Sequence, residues 1–133
     1  PYKYSLMGHS DADVSMHAIT DALYGAIAEG DIGTWFPPNE PEWKNKNSEI
    51  FLEHSKNLLS NRGFLISNID CTIICEEPKI TPHVKKMKDN IARILDIEKQ
   101  RISIKATTSE KLGFIGRKEG IATQAIATVK KID

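Results

Sequence analysis

The chain has 133 residues, 40% of them apolar and 27% charged, which suits one domain able to bury a core without disulfides or structural metals. Eighteen basic residues balance eighteen acidic ones at a formal net charge of zero, so nothing favours a nucleic-acid or anionic-membrane partner, and a small molecule is the expected ligand. No 18-residue apolar run and no charged-then-apolar leader occurs, and Cys71 and Cys75 lie roughly 13 Å apart along one expected strand, too far for a disulfide; a reduced, cytoplasmic setting follows, with a processed plastid form as the alternative.

In chain order, Val14, Met16, Ile19, Leu23 and Ile27 follow the polar run His9-Ser10-Asp11-Ala12-Asp13 at near-helical spacing, and Gly30 is a helix stop, so a first helix is predicted over about 12–29. Pro37, Pro38 and Pro41 then enforce an extended loop carrying Trp35, Phe36 and Trp43, a candidate lid. Ser48 is expected to cap a second helix with Ile50, Phe51, His54, Leu58 and Leu59 as its inward stripe, ending near Asn61-Arg62-Gly63. Phe64 to Cys75 reads as a strand. Thr81-Pro82 supplies a cap and a first-turn proline for a third helix with Val84, Met87, Ile91, Ile94 and Leu95 on one face. Ile102 to Thr107 and Gly120 to Lys131 complete the pattern as strands. The fold class is therefore α/β, an α+β sandwich whose mixed sheet is packed on one face by about three helices, as one domain over 1–133 without repeats or linkers.

Four constellations could carry chemistry. Asp13, His17 and Asp21 share one helical face, where a metal-bound imidazole could donate its second N–H to a carboxylate; the plainer alternative has the aspartates complementing the helix dipole while His17 packs. No paired Cys or Cys/His spacing supports a closed structural zinc site. In Gly30-Asp31-Ile32-Gly33, Asp31 could accept from sugar hydroxyls or simply follow a helix stop. Glu76-Glu77-Pro78-Lys79-Ile80-Thr81-Pro82 joins a strand end to a helix start, where amides and Lys79 could hold a base or phosphate, or form an ordinary capped turn. Lys105-Ala-Thr-Thr-Ser-Glu110 is different. Two hydroxyls and a carboxylate behind one short strand suit phosphate oxygens and a hard divalent cation, and have no packing role as a set. Gly113 and Gly116 around Phe114 suggest a tight loop, and Arg117 either serves the site or pairs with Glu119 in solvent.

These motifs together resemble the 2-C-methyl-D-erythritol 2,4-cyclodiphosphate synthase family along the whole chain. The resemblance rests on His9-Ser10-Asp11-x-Asp13-Val14 with His17, Thr20-Asp21-Ala22-Leu23, Gly30-Asp31-Ile32-Gly33 before Phe36-Pro37, Asp70-x-Thr72, Pro78-Lys79-x-x-Pro82-His83, and Lys105 to Ala122. It implies a lyase of the non-mevalonate isoprenoid pathway that acts on 4-diphosphocytidyl-2-C-methyl-D-erythritol 2-phosphate. There the 2-phosphate attacks the β-phosphorus, the bond to the α-phosphate breaks, and CMP leaves as the cyclic diphosphate closes. Catalysis would come from positioning and electrostatics, not from a protein nucleophile.

The resemblance also implies roles. His17 would be a zinc ligand with an Asp-x-His pair that this sequence does not contain, one Zn²⁺ per subunit acting as a Lewis acid; Glu110 would hold Mg²⁺ or Mn²⁺ between the α- and β-phosphates. His9 and Thr108 would stabilise developing charge, His9 and Ser10 would grip phosphate, and Thr107 with Thr108 would reach the diphosphate. Asp31 and Gly33 would hold the ribose beside Phe36, and Cys75, Pro78, Lys79 and Thr81 would recognise cytosine and phosphate from a neighbouring subunit. Phe114 and Arg117, with Glu119, would line the central cavity of a homotrimer. Two departures stand out. The sequence opens on Pro1 without the family's leading strand, and Pro38-Asn39-Glu40 follows Phe36-Pro37 where the family places Asp. A catalytically silent cytidine-nucleotide-binding trimer, or a metal-dependent phosphohydrolase using the same groups on water, are the alternatives.

Overall fold

Strand β1, Phe64–Ile74, is the centre of a three-stranded sheet. Its Ile-rich sequence follows a left-handed Gly63 that turns the chain out of a helix. Strand β2, Ile102–Thr107, runs parallel to it with Ile69 opposite Ile102 and Ile74 opposite Thr107; strand β3, Ala122–Lys131, runs antiparallel from Phe64 opposite Lys131 to Ile74 opposite Ala122. A parallel pair needs a long crossover, and helix α4, Thr81–Leu95, supplies it. The computed structural model describes residues 2–40, 42, 47–76 and 81–133, with the side chains of residues 2–11 and 81 outside that description.

The other long helices are α1, Tyr2–Ala26, and α3, Ser48–Asn61; one-turn helices α2, Ile32–Trp35, and α5, Gly113–Gly116, sit in the connections. Met16, Ile19 and Leu23 of α1, Leu52 and Leu59 of α3, and Met87, Ile91 and Leu95 of α4 bury against Ile69, Cys71 and Ile73 of β1 and Ile102 and Ile104 of β2. Ala125, Ala127 and Val129 of β3 complete this face. The opposite face carries Asp70, Thr72 and Ile74, with Ile126 at 69% exposure and Leu65 at 57%. The sheet is thus covered on one side by three principal helices, as expected, and strand positions agree with the sequence reading to within two residues.

Several local expectations are corrected. The first helix begins at Tyr2, not near residue 12, and ends at Ala26; its terminal turn is closed by Glu29 N–H to the Tyr24 carbonyl, with Ala28 at φ +57° before Gly30. Helix propensity is a weak prior, and Gly8 does not interrupt the observed helix. Asn47, not Ser48, caps α3, its side chain accepting from Glu49 N–H at 3.0 Å. The inward stripe of α3 is Phe51, Leu52, Ser55 and Leu59, while Ile50 is exposed. Trp35 lies in α2 instead of an extended loop. Its indole N–H reaches the Glu29 carbonyl, and buried Phe36 packs on Phe51 and His54, so the expected lid segment starts from an anchored aromatic cluster. Pro41 and Trp43 lie outside the described residues.

In that cluster fully buried Tyr24 lies 2.7 Å from His54 Nδ1. Burial, and then the Asp21 charge, push the Tyr24 phenol far above its usual range, so the phenol donates and His54 accepts as a neutral ring. Burial also lowers the His54 pKa, so the unfolded chain takes up this proton first as pH falls. Stability is therefore expected to decline below about pH 6.5 by more than in His54→Asn, which keeps an acceptor near Nδ1 without titrating. Thermal melts of both proteins at pH 8.0 and 5.5 check this; equal declines would remove His54 from the acid response.

Candidate functional site

The parallel pairing of β1 and β2 brings their C-terminal ends together, and Cys75 N–H continues the ladder to the Thr107 carbonyl at 3.0 Å. From this edge Thr107, Thr108 and Glu110 project as exposed side chains. Ser109 to Leu112 form a turn closed by Leu112 N–H to the Ser109 carbonyl, and both central residues are left-handed, Glu110 at φ +56° and Lys111 at φ +65°. Such a pair normally selects Gly or Asn, so contacts from outside must hold it. Glu76 Oε1 provides them: it accepts from Ser109 N–H at 3.0 Å and Lys111 N–H at 3.0 Å, with Ser109 Oγ at 3.1 Å. The Lys111 amide bond is the leading cause of a depressed Glu76 pKa, with burial opposing it and the Ser109 bonds and the Lys111 charge adding to it. Gly116 completes the support from α5, since a Cβ there would lie 2.0 Å from the Lys111 carbonyl carbon.

Thr108 Oγ1 accepts Glu110 N–H at 3.1 Å, which leaves its own proton for an incoming oxygen anion. Glu110 offers a hard oxygen beside two hydroxyls. Mg²⁺ commonly takes one or two carboxylates and completes its shell with substrate phosphate and water, so this donor set fits such a cation. Phe114, 52% exposed, and Arg117 follow on the α5 segment, where Arg117 Nε pairs with Glu119 at 2.8 Å. Buried Cys75 meets the site through its backbone.

A second group lies along α1. Ser48 Oγ donates to Asp13 Oδ1 at 2.7 Å and lies 3.2 Å from His17 Nε2. Because a hydroxyl has one proton and the Asp13 carboxylate takes it, the Ser48 oxygen can only accept from His17 Nε2 in this contact. The expected direct carboxylate–imidazole bond is replaced by this serine bridge. Asp21 instead accepts Ile32 N–H at 2.9 Å, and Asp31 Oδ1 caps α2 through Thr34 N–H at 3.0 Å and its hydroxyl at 2.9 Å, fixing Asp31 and Gly33 at the helix start. Phe51 ties this group together, 6.1 Å from the His17 ring and 4.9 Å from Phe36. Among the described residues no three His, Cys, Asp or Glu converge as a metal site.

The His17 group is built on α1 and the start of α3, and the Thr107–Glu110 group on the joined ends of β1 and β2. The side chains of His9, Ser10 and Thr81, and all of Pro78 and Lys79, lie outside the described residues. A cleft of about 680 Å³ opens between α1, α3 and α4, walled by Asp13, Asn47, Glu49, His83, Lys86 and Arg93; the phosphate-type turn lies elsewhere. Glu76 is read from sequence only as part of the Glu76–Pro82 connection and Ser48 only as a helix cap; the bracing and bridging roles escape because each acts across more than 30 residues of chain. A carboxylate at the strand end that faces a glycine-poor turn was the one available cue.

A sequence model described as the YgbB family matches residues 1–130. The bifunctional enzyme IspD/IspF of Ruegeria pomeroyi is 60% identical over 131 residues, covering 98% of this chain and 35% of that protein; the chain spans about a third of such bifunctional relatives. A 2-C-methyl-D-erythritol 2,4-cyclodiphosphate synthase of Cereibacter sphaeroides is 58% identical over 129 residues, 97% of this chain and 81% of that protein. A solved structure of IspF from Plasmodium falciparum as a CDP complex superposes with a TM-score of 0.80 at 35% identity, covering 90% of this chain and 72% of that one.

Proposed function

The chain belongs to the YgbB family, and on that premise we propose that it converts 4-diphosphocytidyl-2-C-methyl-D-erythritol 2-phosphate to 2-C-methyl-D-erythritol 2,4-cyclodiphosphate and CMP. The observation that carries this reading is the braced Ser109–Leu112 turn, which holds Thr108 and Glu110 beside Thr107 at the joined ends of β1 and β2. The relatives' names and the CDP complex of the Plasmodium protein support the same substrate class.

In this reading Thr107 and Thr108 donate to diphosphate oxygens, and the Thr108 proton is available because its oxygen is already engaged by the Glu110 amide. Glu110 would hold Mg²⁺ or Mn²⁺ with the substrate's phosphates, a charge that offsets repulsion as the 2-phosphate nears the β-phosphorus. Asp31 and Gly33, fixed by Asp21 and Thr34, would hold the ribose. His9 and Ser10 would grip phosphate, Pro78, Lys79 and Thr81 would recognise the cytidine end, and Phe114 and Arg117 would line a central cavity. His17 would give one ligand to a zinc whose other ligands are not among the described residues, so no step is assigned to zinc.

A homotrimer with its sites between subunits fits two features. The His17 group is built on α1 and the start of α3 while the Glu110 group stands at the joined ends of β1 and β2, and the open sheet face exposes Leu65 and Ile126 around Asp70, whose Oδ1 is buried without a partner while Lys105 pairs with Oδ2 at 3.0 Å. Native mass spectrometry is expected to give three chains per particle; a lone chain in the spectrum would reject this assembly. For the activity, CMP release is measured with Mg²⁺ present and with EDTA. Metal-dependent release of one CMP per substrate supports the reading, whereas CDP binding without CMP release favours a silent cytidine-nucleotide binder.

A further inference from the structure

We infer that Glu76 is a positioning residue for the divalent cation and diphosphate, acting by clamping the turn that carries Glu110. This inference rests on the proposed function, because it assigns Glu110 to the cation. One oxygen of Glu76 takes the amide protons on both sides of Glu110, from Ser109 and Lys111, each at 3.0 Å. Glu110 and Lys111 occupy left-handed backbone that neither residue type favours, and the bonds from Leu112 N–H to the Ser109 carbonyl, Glu110 N–H to Thr108 Oγ1 and Gly116 N–H to the Leu112 carbonyl do not link the turn to the sheet. The Ser109 hydroxyl, 2.8 Å from the Leu112 carbonyl and 3.1 Å from Glu76, has one proton for two acceptors, so it cannot replace the amide bonds.

Glu76 immediately follows the β1 edge whose Cys75 amide is bonded to Thr107. The clamp therefore ties the Glu110 turn to both parallel strands, and it also sits at the first residue before the 77–80 segment. Without it the turn can relax to ordinary right-handed or extended backbone, and the Glu110 carboxylate leaves the position from which it meets a phosphate-bound cation. Since the acceptor geometry matters and a carbonyl oxygen can accept the same two amides, glutamine should replace glutamate and alanine should not.

The test uses the full chain with Glu76→Ala and Glu76→Gln. Mn²⁺ binding in the presence of CDP is followed by electron paramagnetic resonance, alongside CDP binding by calorimetry, thermal melts and turnover. Glu76→Ala is expected to weaken Mn²⁺ in the CDP complex by about tenfold or more and to lower kcat by about 10–100-fold. CDP affinity without metal should stay within about threefold, and Glu76→Gln should recover Mn²⁺ affinity to within about threefold of the parent. Wild-type Mn²⁺ affinity in Glu76→Ala overturns the inference, as does a Glu76→Gln variant as impaired as alanine. A melting temperature that falls equally in both variants with unchanged Mn²⁺ affinity also overturns it, by leaving only a structural role. The Mn²⁺ arm needs no turnover, so a parent protein that binds Mn²⁺ and CDP but forms no product defeats the proposed reaction while this clamp remains separately decided.

Discussion

Glu110→Ala is expected to lower kcat/KM by about 10³-fold or more, with the melting temperature nearly unchanged. Glu110 is exposed on a turn, and its side chain takes part in no bond that holds the fold among the described residues. In the proposed reaction its removal would take away the hard oxygen next to Thr107 and Thr108, where the substrate's diphosphate would concentrate negative charge. Folding a polyanion onto itself without that charge compensation raises the barrier of the chemical step, so the loss should fall mainly on kcat. Glu40→Ala is the comparison. Glu40 sits in the Pro38-Asn39-Glu40 departure and should cost far less, and steady-state kinetics on the two variants check the ranking. Similar losses in both would move the cation away from Glu110.

Gly116→Ala carries the second large effect. A methyl group there would lie 2.0 Å from the Lys111 carbonyl carbon and 2.5 Å from its oxygen, and backbone cannot swing aside as a side-chain tip can. Helix α5 and the Ser109–Leu112 turn must therefore separate, displacing Glu110. A displacement on the order of 1 Å at such a site can cost about 10²-fold in rate. Gly120→Ala provides contrast because its methyl meets only the Phe114 ring edge at 3.3 Å, which can yield. Turnover of the first variant should fall about 10²-fold and that of the second by a few-fold; equal activity in both would show that α5 does not brace the turn.

The secondary structure was largely legible because its signals were local. Ile102 to Thr107 alternates Ile with polar residues and is found with those bounds, and the spacing of Met87, Ile91 and Leu95 places α4 correctly. Errors arose where neighbouring residue types gave conflicting cues. Asn47 and Ser48 are both capping types, and only the structure shows which side chain accepts from the α3 amide. The polar run His9-Ser10-Asp11-Ala12-Asp13 precedes the apolar spacing from which the first helix is read, although the backbone is already helical there. Trp35 looked extended because three prolines follow it, but the Asp31–Thr34 capping box starts one helical turn before the prolines act.

The site was legible in part for a related reason. Thr107, Thr108 and Glu110 stand together in sequence, so their chemistry could be read directly. The bonds that make them usable could not. Glu76 reaches the turn across 33 to 35 residues, and Ser48 lies 35 residues from Asp13, contacts that exist only once β1 has paired with β2 and α3 has packed on α1. The left-handed backbone at Glu110 was also hidden, since neither Glu nor Lys announces a positive φ.

The most direct test of the account follows the phosphorus atoms. Phosphorus NMR of 4-diphosphocytidyl-2-C-methyl-D-erythritol 2-phosphate incubated with the protein, Mg²⁺ and Zn²⁺ is expected to show CMP growing in step with the two coupled resonances of the cyclic diphosphate. An open-chain 2,4-bisphosphate or inorganic phosphate in its place would contradict the account, because the same hydroxyls and carboxylate would then be directing water, not the substrate's own 2-phosphate, onto phosphorus.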